Sequence, residues 1–188
     1  CVVQMKDVSA NGSLGHLDWD HLVKAELTGR KAPVWLRQDH VLFVARGSRN
    51  FAIHVNQTPK AAVCGQLFFL LTIKPEYQNQ VLAEFVAWLI NSTQSQRYFD
   101  ADAQGVTQSY AQRNITRSVL ENLPIILPSI TAQLQMTQLF EAARREKETY
   151  LALIANRQQE LGVLTAEFYH DHQSDQPHQH NSEGGEKA

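Results

Sequence analysis

Residues 129–170 read SITAQLQMTQLFEAARREKETYLALIANRQQELGVLTAEFYH, and this stretch decides the fold. Ser129 or Thr131 can cap its start, and no proline follows Pro128 until Pro177. Spacings of four and three residues alternate along the stretch, and eight of the ten positions they mark are apolar. Several such heptads predict one long helix that packs along a partner helix as a coiled coil. We call the ten positions the seam: Met136, Phe140, Ala143, Lys147, Tyr150, Ile154, Arg157, Leu161, Leu164 and Phe168.

The length of the seam indicates what kind of partner the helix needs. About 40 helical residues extend roughly 60 Å, which is more than a domain built from residues 1–128 could cover. We therefore expect a second long helix to supply the other face. Lys147 and Arg157 are the polar exceptions, and acids of the partner helix, such as Glu148, are expected to pair with them and fix the register. The predicted dimer-interface residues are Met136, Phe140, Ala143, Tyr150, Ile154, Leu161, Leu164 and Phe168.

The region that precedes residue 75 has a β-rich pattern. Short apolar runs alternate with turn residues, among them Asn11-Gly12 and a tight loop at 37–40. The last run, residues 61–73, is almost continuously apolar and is typical of a strand buried on both faces. The predicted strands are 2–5, 34–36, 41–44, 51–55 and 61–73.

Shorter elements connect this region to the long helix. Residues 78–91 carry their apolar side chains on one helical face. A short helix or loop is expected at 92–102, a helical turn at 118–123 and a last strand at 125–127. The predicted fold class is therefore α+β. A β-rich domain with small helices covers residues 1–128, one long coiled-coil helix covers 129–170, and a disordered His-rich tail covers 171–188.

Composition bounds the class of protein. The chain has 188 residues, 43% of them hydrophobic and 19% charged, which suits one domain with an accessory element. Its two cysteines make no disulfide framework or zinc-ligand spacing, so a reducing, cytoplasmic location is expected. No apolar run approaches the roughly 18 residues of a membrane span. Because the chain opens inside an apolar run at Cys1, the domain is expected to lack an N-terminal segment.

Charge is unevenly distributed along the chain. The formal net charge is −2, but residues 1–120 hold twelve Lys/Arg against nine Asp/Glu, and residues 121–188 hold five against ten. In residues 28–63, six basic residues accompany a single acid, Asp39. Such a local basic stretch can hold a phosphate backbone even in an acidic chain. An ordinary solvated surface is the alternative interpretation.

Motifs for catalysis are missing from the sequence. It contains no Gly-x-Gly-x-x-Gly, P-loop or Gly-x-Ser-x-Gly, and nothing like the Asn/Asp-Pro-Pro-Tyr/Phe loop of adenine methyltransferases. The acid pairs Asp18/Asp20 and Asp100/Asp102 lack a Glu-x-Lys nuclease pattern nearby. We therefore predict a protein that is not an enzyme and that uses no cofactor and no metal.

Three segments carry a family resemblance. Residues 36–48, LRQDHVLFVARGS, resemble the Leu-x-x-Gly-Asp-x-Leu-Phe-x-x-Arg-Gly stretch of target-recognition domains in type I restriction–modification specificity subunits. Residues 120–128, LENLPIILP, with Gln133 beyond them, are similar to the family's junction between such a domain and its helix. Residues 3–8, VQMKDV, are similar to an early family strand. His40 stands where the family has aspartate, and Ser129 follows Pro128 in place of a second proline.

The resemblance covers residues 1 to about 170 and implies a half-subunit, since family members usually carry two recognition domains and two helices. It implies a protein that binds double-stranded DNA sequence-specifically and docks a separate adenine DNA methyltransferase, with or without a translocating nuclease. A homodimer formed through the long helix would again contain two recognition domains. The resemblance places such a protein in a restriction system or a related phage-defence system. The alternative is a coiled-coil protein-interaction module that binds no DNA.

Two polar loops, 46–50 and 104–113, have the residue types that read DNA. Arg and Lys pair with guanine, Asn and Gln pair with adenine, and further side chains hold phosphates. Gly47 would let the backbone come close to DNA, and Arg30 and Lys31 are expected to contact phosphate. The predicted DNA-binding residues are Arg30, Lys31, Arg46, Ser48, Arg49, Asn50, Thr107, Gln108, Tyr110 and Arg113.

Overall fold

The computed structural model of the chain describes residues 1–11, 14–26, 32–104 and 113–173. The chain divides into two compact units, Cys1–Arg144 and Arg145–Ala188. The first unit includes the first turns of the long helix, whereas the sequence analysis placed the domain boundary at residue 128. The described strands are β1 (Val2–Val3), β2 (Val8–Asn11), β3 (Leu14–Leu17), β4 (Val41–Val44), β5 (Arg46–Gly47), β6 (Ala52–His54), β7 (Val63–Cys64), β8 (Phe68–Leu71) and β9 (Arg113–Asn114). The described α-helices are α1 (Ala83–Asn91), α2 (Thr93–Gln104), α3 (Arg117–Glu121) and α4 (Ile130–Gln173).

Strand β4 is the centre of the first unit. It lies between β6 and β8 in a three-stranded sheet, antiparallel to both. All four of its residues are buried, and because side chains alternate along a strand, they face two different cores. Leu42 and Val44 join one apolar cluster, while Val41 and Phe43 join another. A strand covered on both faces is consistent with its unbroken run of apolar residues.

The two cores are built from different parts of the chain. The first collects Val3, Leu17 and Trp19 from the N-terminal strands and their surroundings, packed against Ile53 of β6. Its hairpin β2–β3 comes close to β6, because a Cβ added to Gly15 would lie 2.8 Å from the carbonyl oxygen of Ala52. The second core lies between the sheet and the helices α1 and α2. Its helical members are Ala83, Ala87, Ile90 and Phe99.

Hydrogen bonds from one side chain join α1 to the sheet. Asn91 Oδ1 accepts from the backbone N–H of Ala52 at 2.7 Å, and Asn91 Nδ2 donates to the carbonyl of Ala52 at 2.8 Å. The side chain therefore takes the place of a neighbouring strand at this position of β6. Helix α1 ends here, Ser92 is extended, and α2 begins at Thr93.

The start of α4 is anchored in the first unit. Ser129 Oγ accepts from the backbone N–H of Ala132 at 3.3 Å, so the predicted cap at Ser129 is confirmed. Gln133 is completely buried, and Phe140 stacks on Trp88 of α1 with ring centroids 4.1 Å apart.

The α+β class, the strands at 41–44 and 51–55 and the long helix are confirmed. Four other predictions were wrong in whole or in part. The 61–73 run is broken at Gly65 into β7 and β8, and the 78–91 helix begins only at Ala83. Residues 34–36 and 125–127 form no strand. Prolines 124 and 128 remove backbone donors on each side of 125–127, which restricts strand pairing there. Among the described helices, none combines the length and hydropathy that a membrane span requires.

Candidate nucleic-acid interface

A short antiparallel ladder joins the start of the 46–50 loop to the end of the 104–113 loop, of which residues 105–112 lie outside the described part of the chain. Strand β5 pairs with β9, which places Arg46 opposite Asn114 and Gly47 opposite Arg113. The Arg46 Nε–H donates to Asn114 Oδ1 at 3.2 Å. The ladder continues inward, since the N–H of Ile115 donates to the carbonyl of Ala45 at 2.8 Å. Segments far apart in sequence thus meet at one place on the first unit.

The loop after β4 presents polar side chains to solvent. Arg46, Ser48 and Arg49 are all exposed, as the sequence analysis expected of residues that contact DNA. A 3₁₀ turn, Met5–Asp7, lies beside this loop, because a Cβ added to Gly47 would lie 3.4 Å from Met5 Cε. The surface around β5 therefore carries two exposed guanidinium groups on a backbone supported from β4, β9 and this turn.

Asn50 departs from the expectation that it contacts DNA. The residue is only 2% exposed, and its Nδ2 donates to the carbonyls of Val44 and Ala45, both at 3.0 Å. Its Oδ1 is buried and accepts no hydrogen bond from any residue that the structure describes. The amide is turned inward, where it donates to the carbonyl of Val44 and adds a second donor to the carbonyl of Ala45, which also accepts from Ile115. Asn50 therefore shapes the loop from inside and does not reach a base edge.

Several predicted contact residues lie outside the described residues: Arg30, Lys31, Thr107, Gln108 and Tyr110. For Arg113 only the backbone is described, in β9. The sequence analysis missed Asn114, whose side chain holds Arg46. The only sequence signal for it was its place at the end of the polar stretch.

The turn before β4 has an unusual backbone. Asp39 has φ 64°, a conformation that glycine and, less often, Asp or Asn adopt. Its Oδ1 lies 3.0 Å from His54 Nε2. The neighbouring His40 accepts from the N–H of Arg37 through Nδ1, and burial, followed by the nearby Arg37 charge, lowers the pKa of His40. These contacts fix the turn that leads into the buried strand.

The acidic and cysteine residues considered for chemistry have local roles. Asp18 accepts from His21 Nδ1 and from the N–H of Asp20, both at 2.8 Å, and these bonds lower the pKa of Asp18. Burial raises the pKa of the Cys64 thiol, which opposes formation of a reactive thiolate. Within the described ranges, no cluster of His, Cys, Asp and Glu could hold a metal ion.

The predicted dimer-interface residues fall in both units. In the first unit, Met136 and Phe140 are half-buried and Ala143 is exposed. The ring of Phe140 is already engaged by Trp88, which the prediction of an open seam did not foresee. In the second unit, each large apolar seam residue is more than half exposed: Tyr150, Ile154, Leu161, Leu164 and Phe168. Arg157 pairs with Glu160 of its own helix at 2.7 Å.

Compared with models of known protein families and with curated proteins, the chain has no significant match.

Proposed function

We propose that this protein is a DNA-reading specificity subunit of a type I restriction–modification system, or of a related methylation-based phage-defence system. It has no catalytic role of its own. It acts in the cytoplasm, where it positions a separate adenine DNA methyltransferase on its target, with a translocating nuclease as a further partner where the system restricts. The observation that carries the proposal is the β5–β9 ladder, which joins the start of the first predicted DNA-contact loop to the end of the second.

The chemistry of this surface supports contact with a duplex. Arg46 and Arg49 are exposed and can hold phosphates or the O6 and N7 atoms of guanine. The Asn114 side chain orients Arg46 through its Nε atom, which leaves the two terminal nitrogens of the guanidinium for a ligand. An oriented arginine loses less side-chain entropy when it binds, so the hydrogen bond favours recognition.

The turn before β4 gives independent support. In the family's Leu-x-x-Gly-Asp-x-Leu-Phe stretch, the glycine falls at the position that Asp39 occupies in this chain. Asp39 adopts φ 64°, the left-handed conformation that a glycine would provide. A backbone conformation that glycine adopts readily therefore occurs at the position where the family's glycine falls, which supports the proposal.

The long helix supports a dimer that carries two recognition domains. Ile154, Leu161 and Leu164 each expose more than half of their surface within the second unit. An apolar stripe repeating every three to four residues favours burial against another helix. A second copy of the chain supplies such a helix, and the dimer then carries one recognition domain for each half of a bipartite site.

An electrophoretic shift assay with random-sequence duplex DNA at low salt tests the proposal. The chain is assayed alone and together with an adenine DNA methyltransferase of the kind that the proposal gives it as a partner. Arg46→Ala and Arg49→Ala should each weaken binding, and should each reduce the salt dependence by about one counterion if they hold phosphates. Lys24→Ala, which removes an exposed cation from another part of the chain, is the matched control. Failure to bind DNA in both conditions would contradict the proposal and favour a protein-interaction module.

A further inference from the structure

The segment between Pro124 and Pro128 is an apolar stretch without a partner. Ile126 exposes 77% of its surface, and Ile125 and Leu127 expose 42% and 48%. Among the described residues, the backbone N–H and C=O groups of these three residues make no hydrogen bond. The segment combines strand-forming side chains with an open backbone, which is the property of an unpaired sheet edge.

A cleft of about 320 Å³ lies directly beside this segment. Its apolar lining comes from Leu89 of α1, from Leu123 and Pro124, and from Ile126 itself. This volume is at the lower end of the range for ligand pockets and is large enough for one bulky apolar side chain. The cleft and the open backbone therefore share Ile126 and form one continuous surface.

The polar rim of the cleft has a single sign of charge. Arg97 of α2 is exposed, and no hydrogen bond or ion pair engages its guanidinium within the described part of the chain. None of the described residues that line the cleft is acidic. The other polar groups on the rim are uncharged, such as Tyr98, whose hydroxyl donates to the carbonyl of Val119 at 3.3 Å. An occupant with a carboxylate would complement this rim.

We propose that this surface docks a short, extended, acidic peptide segment of a partner protein. One apolar side chain of the peptide enters the cleft, a carboxylate pairs with Arg97, and its backbone pairs with the open backbone of residues 125–127. Extended backbone is required because only a strand can use those N–H and C=O groups together. The flanking prolines, which lack N–H groups, limit the pairing to about three residues.

A second copy of the chain fits this surface less well. In a symmetric pairing of two 124–128 segments, each Arg97 would face the same surface of the other copy, which supplies no acid. Glu121, the acid nearest in sequence, is paired with Arg117 at 2.7 Å. The residues that line the cleft do not include Arg46 or Arg49, so variants at the two surfaces test the two proposals separately.

The test begins with a random peptide library displayed on phage and selected on the full chain. Enriched peptides should carry Asp or Glu within two or three residues of Leu, Ile or Phe. Their fluorescein-labelled synthetic forms should bind the wild-type chain in fluorescence polarisation. Arg97→Glu and Ile126→Asp should each weaken this binding about tenfold or more, as expected for loss of a charge-assisted hydrogen bond or a buried apolar contact. Lys24→Glu carries the same charge change elsewhere and should bind as the wild type does.

Two peptides, N-methylated at alternate residues in opposite phase, test the backbone pairing. The peptide that loses the N–H groups facing residues 125–127 should bind at least about tenfold more weakly. The proposal is overturned if no peptide is enriched, if enriched peptides carry no acid, or if Arg97→Glu binds them as tightly as the wild type. Sedimentation of the Ile126→Asp variant provides the remaining check. If wild-type self-association is lost in that variant, the occupant is a second copy and the peptide proposal is wrong.

Discussion

The side-chain oxygen of Gln133 accepts a hydrogen bond from the backbone N–H of Leu82 at 3.0 Å, although the residues lie 51 positions apart. Its Nε2 donates to the carbonyls of Gln80 and Pro128, at 2.8 and 2.9 Å. Because Gln133 is fully buried, water cannot replace these bonds. One side chain therefore fixes the first turn of α4 to the loop that precedes α1.

Replacing Gln133 by leucine should destabilise the first unit. The change keeps the side-chain volume similar but removes the hydrogen-bond partner of one N–H and of two carbonyls. We expect the free energy of unfolding to fall by about 2–4 kcal/mol, measured by urea denaturation. Gln135→Leu, at an exposed position two residues along the same helix, should change it by less than about 0.5 kcal/mol. Equal effects of the two changes would show that the three bonds contribute little.

The Trp88–Phe140 contact should contribute to the same attachment. The two rings are stacked, with centroids 4.1 Å apart and planes inclined by 20°. In a double-mutant cycle with Trp88→Ala and Phe140→Ala, we expect a coupling free energy of about 0.5–1.5 kcal/mol. Leu139→Ala is the control because that side chain is 66% exposed. A coupling energy of zero would mean that Phe140 is not held against α1 in solution.

Glu84 should make stability depend on pH in a predictable direction. Burial raises the pKa of Glu84 above its ordinary value of 4.5, with His54 and Arg144 opposing the rise and Glu141 and Asp39 adding to it. The folded state therefore holds this proton more tightly than the unfolded state does. The resulting stabilisation is full below about pH 4.5 and is lost as the pH rises through the folded-state pKa.

The Glu84→Gln variant isolates this contribution. It should be more stable than the wild type at neutral pH, and the advantage should shrink as the pH falls towards 4.5, because the wild-type carboxyl then becomes neutral. Urea denaturation of both proteins between pH 4 and pH 7 measures the difference. Glu76→Gln, at an exposed position, serves as the control for loss of one negative charge. A difference that grows as the pH falls would contradict the assignment.

The elements that local pattern could predict are those whose burial follows from their own residues. Strand β4 is four apolar residues long and is buried on both faces, as its composition indicates. The long helix follows from its repeat. The 125–127 segment has the same kind of composition as β4, yet it forms no strand, because strand formation depends on a partner. The flanking Pro124 and Pro128 were the local sign against pairing, and the strand prediction did not take them into account.

The candidate site was predictable only in part, for a similar reason. The exposed positions of Arg46 and Arg49 follow from a polar loop after a buried strand. Asn50, in the same loop, turns inward and donates to two carbonyls whose positions depend on how the chain leaves β4. The β5–β9 ladder joins Arg46 to Asn114 across 68 residues through strands of only two residues each. Strands of two residues are too short to produce a periodic pattern in the sequence, and their partners lie too far away to be inferred from local residues.

The apolar seam of α4 should form the interface of a homodimer. Ile154 and Leu161 are 54% and 55% exposed, so replacing both by aspartate removes little packing within the chain. If they are buried between two helices, the change should weaken the dimer by about three orders of magnitude or more, since each apolar side chain contributes about 1.5–3 kcal/mol. Sedimentation velocity should then show a dimer for the wild type and a monomer for the variant at the same concentration. Gln159→Asp, on the opposite side of the helix from the seam, should remain dimeric. A wild type that sediments as a monomer at every concentration would refute the homodimer, whereas dimers of both proteins would place the interface elsewhere.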